Sequence, residues 1–381
     1  MTSPSQLDAM LAGRRVLFVN AIRSDVPSGG GTATAAMLGR LRHSGLRELR
    51  QFELNPPAGG SRTTFALATI PAMFIVLLSR LTGHVWLEFF LRLSPWLFLR
   101  CWIAATRWRP DVVILNHHAA FPYARVFRTS HRVLVWHDVP SLKRDGERDR
   151  RRDARLCAGI ERSAVACADL NVTFSFDDAR ALRMLHHRKA VVLPVIDTSA
   201  APRDVEARPG RWLLVGNWTR AENCEGAALF LASCAGLARE GTARTATFHI
   251  AGHGAQDFVE RLKKAKFDIA ALDVRVTARY GEMRDFDEIA LLAPLLRGAG
   301  IKLKTVEAWA AGIPVVGTAQ AFTGLPARIW RKGGLRVESV ADMARLCMNC
   351  NEADATVISE LEPISAYYSY QNAVRASASG A

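Results

Sequence analysis

Short, continuous apolar runs alternate along the chain with longer stretches in which apolar positions recur every three or four residues. Arg15-Val-Leu-Phe-Val-Asn20, Asp111-Val-Val-Ile-Leu115 and Arg132-Val-Leu-Val-Trp136 have the pattern of parallel strands buried on both faces. Asp169 to Phe176 and Ala190 to Pro194 read as further short strands. A helix is predicted over Thr32 to Leu41, with Ala35, Ala36, Leu38 and Leu41 available to pack on a sheet. The alternation restarts at Arg211-Trp-Leu-Leu-Val-Gly216. There follow a helix over Glu225 to Leu237, a strand over Thr247 to Ala251 ending in the turn Gly252-His-Gly254, and a strand over Val274 to Ala278. Strands alternating with helices in both halves predict an α/β protein of two Rossmann-like domains, with a polar linker around residues 195–210. Beyond Pro326, Ser339 to Cys350 reads as a helix with Ser339 as its N-cap, and Tyr367-Tyr-Ser-Tyr370 gives the last segment an aromatic face suited to packing.

Between the first strands lies an unusual insertion. Residues 63–79 carry no formal charge, but Pro71 interrupts them and the run falls short of the roughly 20 residues of a membrane-spanning helix. From Trp86 to Trp108, aromatic and apolar residues mix with Arg92, Arg100, Arg107 and Arg109. Three readings stand: helices lying on a bilayer surface, an insertion buried by its own domain, or a true span.

Composition narrows the class. A length of 381 residues, at about 150 per domain, fits two domains, and 49% apolar with 23% charged residues excludes a disordered chain. Fifty basic against 36 acidic side chains leave +14, which favours anionic partners. No zinc finger, aromatic RNP strand or basic zipper directs that charge to nucleic acid. The basic run Lys143 to Arg162, with Arg148, Arg150, Arg151, Arg152 and Arg155, is either a solvated helix face or a surface for phosphate-bearing lipid. Seven scattered cysteines do not make a disulfide framework, and Cys347-Met-Asn-Cys350 lacks the second pair of a zinc set. The first residues lack a secretory or transit pattern, so a cytoplasmic protein is expected.

Candidate chemistry collects where strands end. Pro27-Ser-Gly-Gly-Gly-Thr-Ala33 follows the first strand and matches neither a Walker loop nor GxGxxG; it is a flexible turn or a place where an anion meets backbone N–H groups. Asn116-His117-His118 and His137-Asp138 end the next two strands, where open α/β sheets bind ligands. His137 is suited to orienting a substrate hydroxyl and Asp138 to holding its ring; a structural histidine and a helix-capping aspartate are the alternative.

The most specific segment runs from Pro294 to Val316, with Gly298-Ala-Gly-Ile-Lys-Leu-Lys-Thr-Val-Glu307 followed by Gly312-Ile-Pro-Val-Val316. It resembles the donor-binding signature of GT-B nucleotide-sugar glycosyltransferases, in particular retaining family 4 (glycosyl transferases group 1). The match is close over residues 298–318, and a looser similarity, through Gly216, Gly252-His-Gly254, His137-Asp138 and the early glycines, covers most of the chain. The resemblance implies a GT-B fold of two Rossmann-like domains facing each other across a cleft. An acceptor-side domain would span 1–200, with the membrane-associating insertion at about 63–109. A donor domain would span 201–360, and the segment 361–381 would pack back toward the N-terminal domain.

The same resemblance implies the site. Glu307 would hold the donor ribose hydroxyls; Gly300, Ile301, Lys302 and Leu303 would offer backbone N–H groups to sugar or diphosphate. One of Lys302 and Lys304 would face phosphate, since side chains two apart on a helix diverge. His137 and Asp138 would form the catalytic site, and Gly30 and Gly31 the loop near donor phosphates and acceptor. Three departures stand out. Ala299 occupies the place, eight residues before Glu307, of a glutamate common in relatives. Asn217 and Asn223 stand near the usual arginine and lysine, which leaves Arg220 as the nearest replacement cation. The interval from Gly281 to Pro294 is short for the helix and strand that relatives fit there.

The implied activity is hexosyl transfer from a nucleoside-diphosphate sugar to a lipid-linked or polysaccharide-precursor acceptor, and the basic, aromatic-rich stretch with the net charge adds the expectation that it acts at the inner face of a bacterial membrane. A retaining outcome is expected, with no cofactor, no metal and no nucleic-acid partner. The alternative is a catalytically silent GT-B-like protein that binds a nucleotide or glycan.

Overall fold

The computed structural model describes residues 6–22, 29–54, 70–71, 73–78, 81, 85–90, 92–144, 151–195, 202–241, 246–265, 269–279, 281–298 and 300–378. The chain divides into two units: Met1–Asp197 with Val374–Ala381, and Thr198–Ala373.

In the first unit, β1 (Arg15–Asn20), β2 (Glu48–Glu53), β3 (Val112–Asn116), β4 (His131–Trp136), β5 (Leu170–Thr173) and β6 (Ala190–Val192) form one parallel sheet in the order β2-β1-β3-β4-β5-β6. Every residue of β3 is buried, and β1 is buried from Val16 onward, as continuous apolar runs require. Helices α1 (Gln6–Leu11), α2 (Gly29–His43), α3 (Pro95–Trp108), α4 (Arg151–Cys167) and α5 (Phe176–His186) flank it. Ser175 caps α5 by accepting from the Asp178 N–H at 3.2 Å. The strand order reverses between β1 and β3, which makes their carboxyl ends the switch point where such sheets take ligands.

The predicted helix and strands of this half are all present, with bounds moved by a few residues. The polar edge strand β2 is an addition: its sequence, ELRQFE, has no buried run because only one of its sides meets a neighbouring strand.

The second unit repeats the plan. Strands β7 (Arg208–Val215), β8 (Thr247–Ala251), β9 (Asp273–Thr277), β10 (Glu288–Ala293), β11 (Val315–Gly317) and β12 (Gly334–Arg336) pair in parallel as β12-β11-β10-β7-β8-β9. Its helices are α6 (Ala221–Arg239), α7 (Ala255–Lys264), α8 (Leu303–Ala310), α9 (Ala327–Gly333), α10 (Val340–Asn349), α11 (Glu352–Ser359) and α12 (Pro363–Ala378). Here the switch point lies between β7 and β10. The short interval between Gly281 and Pro294 holds β10 and a single 3-10 turn at Met283–Asp285, so a central, wholly buried strand does fit there. Each unit is thus a Rossmann-like α/β domain with its own core.

Candidate functional site

In the second unit, two glycines that leave no room for a side chain let backbone close in around the carboxyl ends of β7, β8 and β10. A Cβ on Gly226 of α6 would lie 1.6 Å from the Pro294 carbonyl, and one on Gly252 would lie 2.2 Å from the Gly216 carbonyl. Trp218 fills the space beside them, stacked on Phe258 with centroids 4.8 Å apart and donating from Nε1 to the Ala251 carbonyl at 2.9 Å.

Helix α8 enters this corner from a turn in which Gly298 (φ 131°) and Gly300 (φ 69°) adopt conformations that favour glycine. Thr305 and Trp309, one turn apart, lock its buried face: Thr305 Oγ1 donates to the Ala321 carbonyl at 2.9 Å and Trp309 Nε1 to the Gly333 carbonyl at 2.8 Å. Gly312 (φ 75°) ends the helix.

Lys304 and Glu307 occupy positions three apart on α8 and interact electrostatically. Lys304 Nζ reaches across to the end of β7, donating to the Val215 carbonyl at 3.0 Å and to Asn223 Oδ1 at 3.1 Å. Burial, with Lys302 and Arg220 nearby, pushes its ammonium down to about 8, against the opposing pull of Glu307. Glu307 is raised above the ordinary carboxylate range by the same burial, partly offset by Lys304. Lys302 turns the other way, back on its own loop, where Nζ donates to the Gly300 carbonyl at 3.2 Å.

Lys302 is the N-cap residue of α8 without a side-chain cap, so the helix start has backbone N–H groups beyond those its own turn can satisfy. Arg220 is the N-cap residue of α6; its exposed guanidinium pairs with Glu222 at 3.4 Å. Gly300, Ile301, Lys302, Leu303, Lys304 and Glu307 therefore lie on one turn and its helix, with Arg220 among the charges acting on Lys304. Ala299 lies outside the described residues.

In the first unit, polar side chains stand at the carboxyl ends of β2, β1 and β3. Strand register sets Glu53 beside Asn20 and Asn20 beside Asn116. His137 follows β4 two residues beyond Val135, the partner of Asn116, which places it on the same face. His137 Nε2 lies 2.9 Å from Asn116 Oδ1. Burial pushes the His137 imidazole down to about 4 despite the raising effect of Asp138, so the ring is neutral at physiological pH.

Gly30, in the first turn of α2, faces the other side of that ring. A Cβ there would come 3.1 Å from Ile22 and 3.7 Å from His137 Nδ1. Gly31 is buried in the same turn. The pattern of the chain brought His137 and the glycines to notice but not Asn20, Thr34 or Glu53. The signal that was present is that two buried strands, VLFVN and VVILN, both end in asparagine.

The segment after His137 is held by two buried carboxyls. Asp178 Oδ1 accepts from the Val139 N–H at 3.3 Å, and Glu161 Oε1 accepts from the Ser141 N–H at 2.7 Å while its other oxygen meets His186 at 3.1 Å. Burial raises Asp178 to about 7, with Asp138 adding to the effect. Asp138 itself lies 3.7 Å from His118 Nδ1.

His117 (φ 84°), His118 and Asp138 form the one trio of metal-ligating residue types found among the described residues, their ligand atoms within 4.8 Å of one another. The two imidazoles have centroids 3.9 Å apart and planes tilted by 34°.

Two parallel-sheet Rossmann-like units in one chain, with polar and basic groups at their switch points, are the architecture of the GT-B fold. Residues 209–350 match the family of glycosyl transferases group 1, and the chain as a whole is a GT-B protein resembling that family. No protein of curated function matches it in sequence.

Among solved structures, sucrose-phosphate synthase of Thermosynechococcus elongatus shares the fold with a TM-score of 0.62 at 12% identity, over 95% of this chain and 96% of its own. HepE of Anabaena, solved with UDP-glucose, does so with a TM-score of 0.56 at 14% identity, over 97% and 100%. TarM of S. aureus has a TM-score of 0.56 at 12% identity; 72% of this chain is covered, but only 55% of TarM.

Proposed function

We propose that this protein is a glycosyltransferase that moves a hexose from a nucleoside-diphosphate sugar to a lipid-linked or polysaccharide-precursor acceptor. The observation that supports it most is the corner at the second unit's switch point, where Lys304 and Glu307 stand on α8 behind a glycine turn. The family match spans these same residues.

In this reading Glu307 accepts from the two ribose hydroxyls, for which a carboxylate has the lone pairs. The α8 N-terminus and Lys304 take the diphosphate, and Arg220 lends charge from α6. The first unit supplies His137, Asp138, Gly30 and Gly31 to the reacting sugar and the acceptor. The bond from the anomeric carbon to the diphosphate oxygen breaks as a new one forms to the acceptor oxygen. The acceptor proton passes to the leaving diphosphate, which needs neither a protein nucleophile nor a metal, and the configuration is retained. Positive groups around that diphosphate stabilise the charge it develops.

Location at the inner face of the membrane is part of the same proposal. No described helix is long and apolar enough to span a bilayer. Helix α3 buries Leu97 and Cys101 while exposing Phe98, Leu99 and Trp102, the last at 53%, with arginines beside them. The helical residues at 70–71 and 73–78 expose Ile70, Met73, Phe74 and Leu77. An apolar face next to basic side chains suits an anionic lipid surface.

The test is transfer of radiolabel from UDP-, GDP-, ADP- and dTDP-sugars to a membrane lipid extract, with UDP-glucose first because HepE was solved with it. One donor is expected to label lipid, with and without a chelator present. Glu307→Ala should lower kcat/KM by about 10- to 100-fold, the loss of hydrogen bonds to a charged group. Ala299 favours the silent-binder alternative, whose signature is tight nucleotide-sugar binding with no transfer. Binding of none of the four would sink the donor-site assignment.

A further inference from the structure

We propose that Glu53, Asn20 and Asn116 form a positioning relay that fixes which ring nitrogen of His137 carries the proton, and therefore which nitrogen it presents to a ligand. The inference deepens the proposed function and rests on it for the role of His137.

Two groups at the outer end of the row, a backbone N–H and an ionised carboxylate, set the polarity of every hydrogen bond that follows. The Ile22 backbone N–H is only a donor and points to Asn20 Oδ1 at 3.2 Å. The Glu53 carboxylate is only an acceptor when ionised, and its two oxygens lie 3.0 and 3.1 Å from Asn20 Nδ2. The Asn20 amide is thus pinned at both ends, oxygen toward Ile22 and nitrogen toward Glu53.

Asn20 Oδ1 also meets the Asn116 side chain at 2.8 Å, so that contact must come from the Asn116 amide nitrogen. The same nitrogen reaches Thr34 Oγ1 at 2.8 Å, where a hydroxyl adapts by rotation. Asn116 is left with its oxygen facing His137 Nε2 at 2.9 Å. An amide oxygen accepts, so Nε2 must bear the hydrogen. A neutral ring holds one proton, and Nδ1 is then an acceptor lone pair directed to the side where Gly30 lies.

Asn20, Thr34 and Asn116 are fully buried, which raises the cost of reversing any link. A link turned the wrong way would set donor against donor and acceptor against acceptor in the interior. Backbone geometry holds the row in place, because Glu53, Asn20 and Asn116 are direct register partners on three adjacent strands. His117 and Phe174 flank the ring at 5.4 and 5.2 Å between centroids, and neither replaces the Asn116 contact.

The experiment is a two-bond 1H–15N correlation spectrum of the full chain labelled with 15N-histidine. The His137 signals are identified by their loss in His137→Gln. In the wild type the expected pattern is the Nε2–H tautomer. Asn116→Leu should collapse it to the mixed tautomers of a free imidazole, and Thr34→Val should leave it unchanged. Where Asn116→Leu fails to fold, Asn20→Ala reads the same link one residue further out, by freeing the Asn116 amide to turn.

A wild-type ring protonated at Nδ1, or an unchanged pattern in a folded Asn116→Leu or Asn20→Ala protein, overturns the relay. Sugar transfer by His137→Gln separates the two claims. Wild-type kcat/KM in that variant, with the tautomer shifts as expected, removes His137 from the reaction and leaves the relay standing. Loss of transfer with an insensitive tautomer removes the relay alone.

Discussion

Lys304 stands at a point where a small change in proton affinity alters what the corner can hold. An ammonium pushed down to about 8 is partly neutral in mildly alkaline solution. A bound diphosphate favours the charged form, so binding there takes up protons above pH 8. Nucleotide affinity is expected to fall as pH rises from 8 to 9.5, by at most about tenfold per unit. The decline should flatten in Lys304→Met. Calorimetric titration with a nucleoside diphosphate across that range measures it, and an equal slope in both proteins would show that Lys304 is not the group responsible. His137 obeys the opposite logic. Its ring is held neutral by burial, so it contributes a lone pair and no charge until the pH approaches 4. Neither property follows from residue type: both arise because helix and strand ends take these side chains out of water.

At the scale of elements, the proposed donor corner depends on how closely α6 approaches the end of β10. Gly226 makes that approach, and an added methyl would overlap the Pro294 carbonyl, a backbone atom that has no rotamer to escape into. Gly226→Ala is expected to destabilise the fold by about 2–3 kcal/mol, as overpacking of a tight core does. It should weaken nucleotide binding as well, since moving α6 carries Asn223 away from Lys304. Denaturant unfolding and nucleotide titration check the two effects, and an unperturbed protein would mean that the helix is free to shift. Helix α8 gives the complementary case. Its amphipathic pattern predicts a buried stripe, which Thr305 and Trp309 fill, while only the packing of that stripe turns Lys304 toward β7.

Over the whole molecule, the charge of +14 and the apolar outer face of α3 combine into one expectation. The protein should cosediment with vesicles containing anionic lipid, less with neutral vesicles, and less again in high salt. Trp102→Glu together with Phe98→Glu should reduce binding about tenfold or more, because each places a charge where an aromatic ring would enter the interface. Vesicle binding unaltered by that pair would assign the face to another partner. The cysteines play no part in this: Cys101, Cys234 and Cys347 are buried, with thiols raised by desolvation.

The chain by itself determined the fold class and marked the glycine turn and helix α8 as the candidate donor corner. Continuous apolar runs define buried parallel strands whatever their neighbours are, and glycines before Leu303 and after Ala311 mark local backbone needs that any surroundings would impose. It left β2 and β10 unread for opposite reasons. One is a polar edge strand; the other, Glu288–Ala293, is a short apolar run that periodicity does not separate from a helix. Only tertiary structure decided that Glu53, Asn20 and Asn116 lie side by side. Their separations of 33 and 96 residues along the chain close through the parallel register of three strands, and register is a property of the assembled sheet.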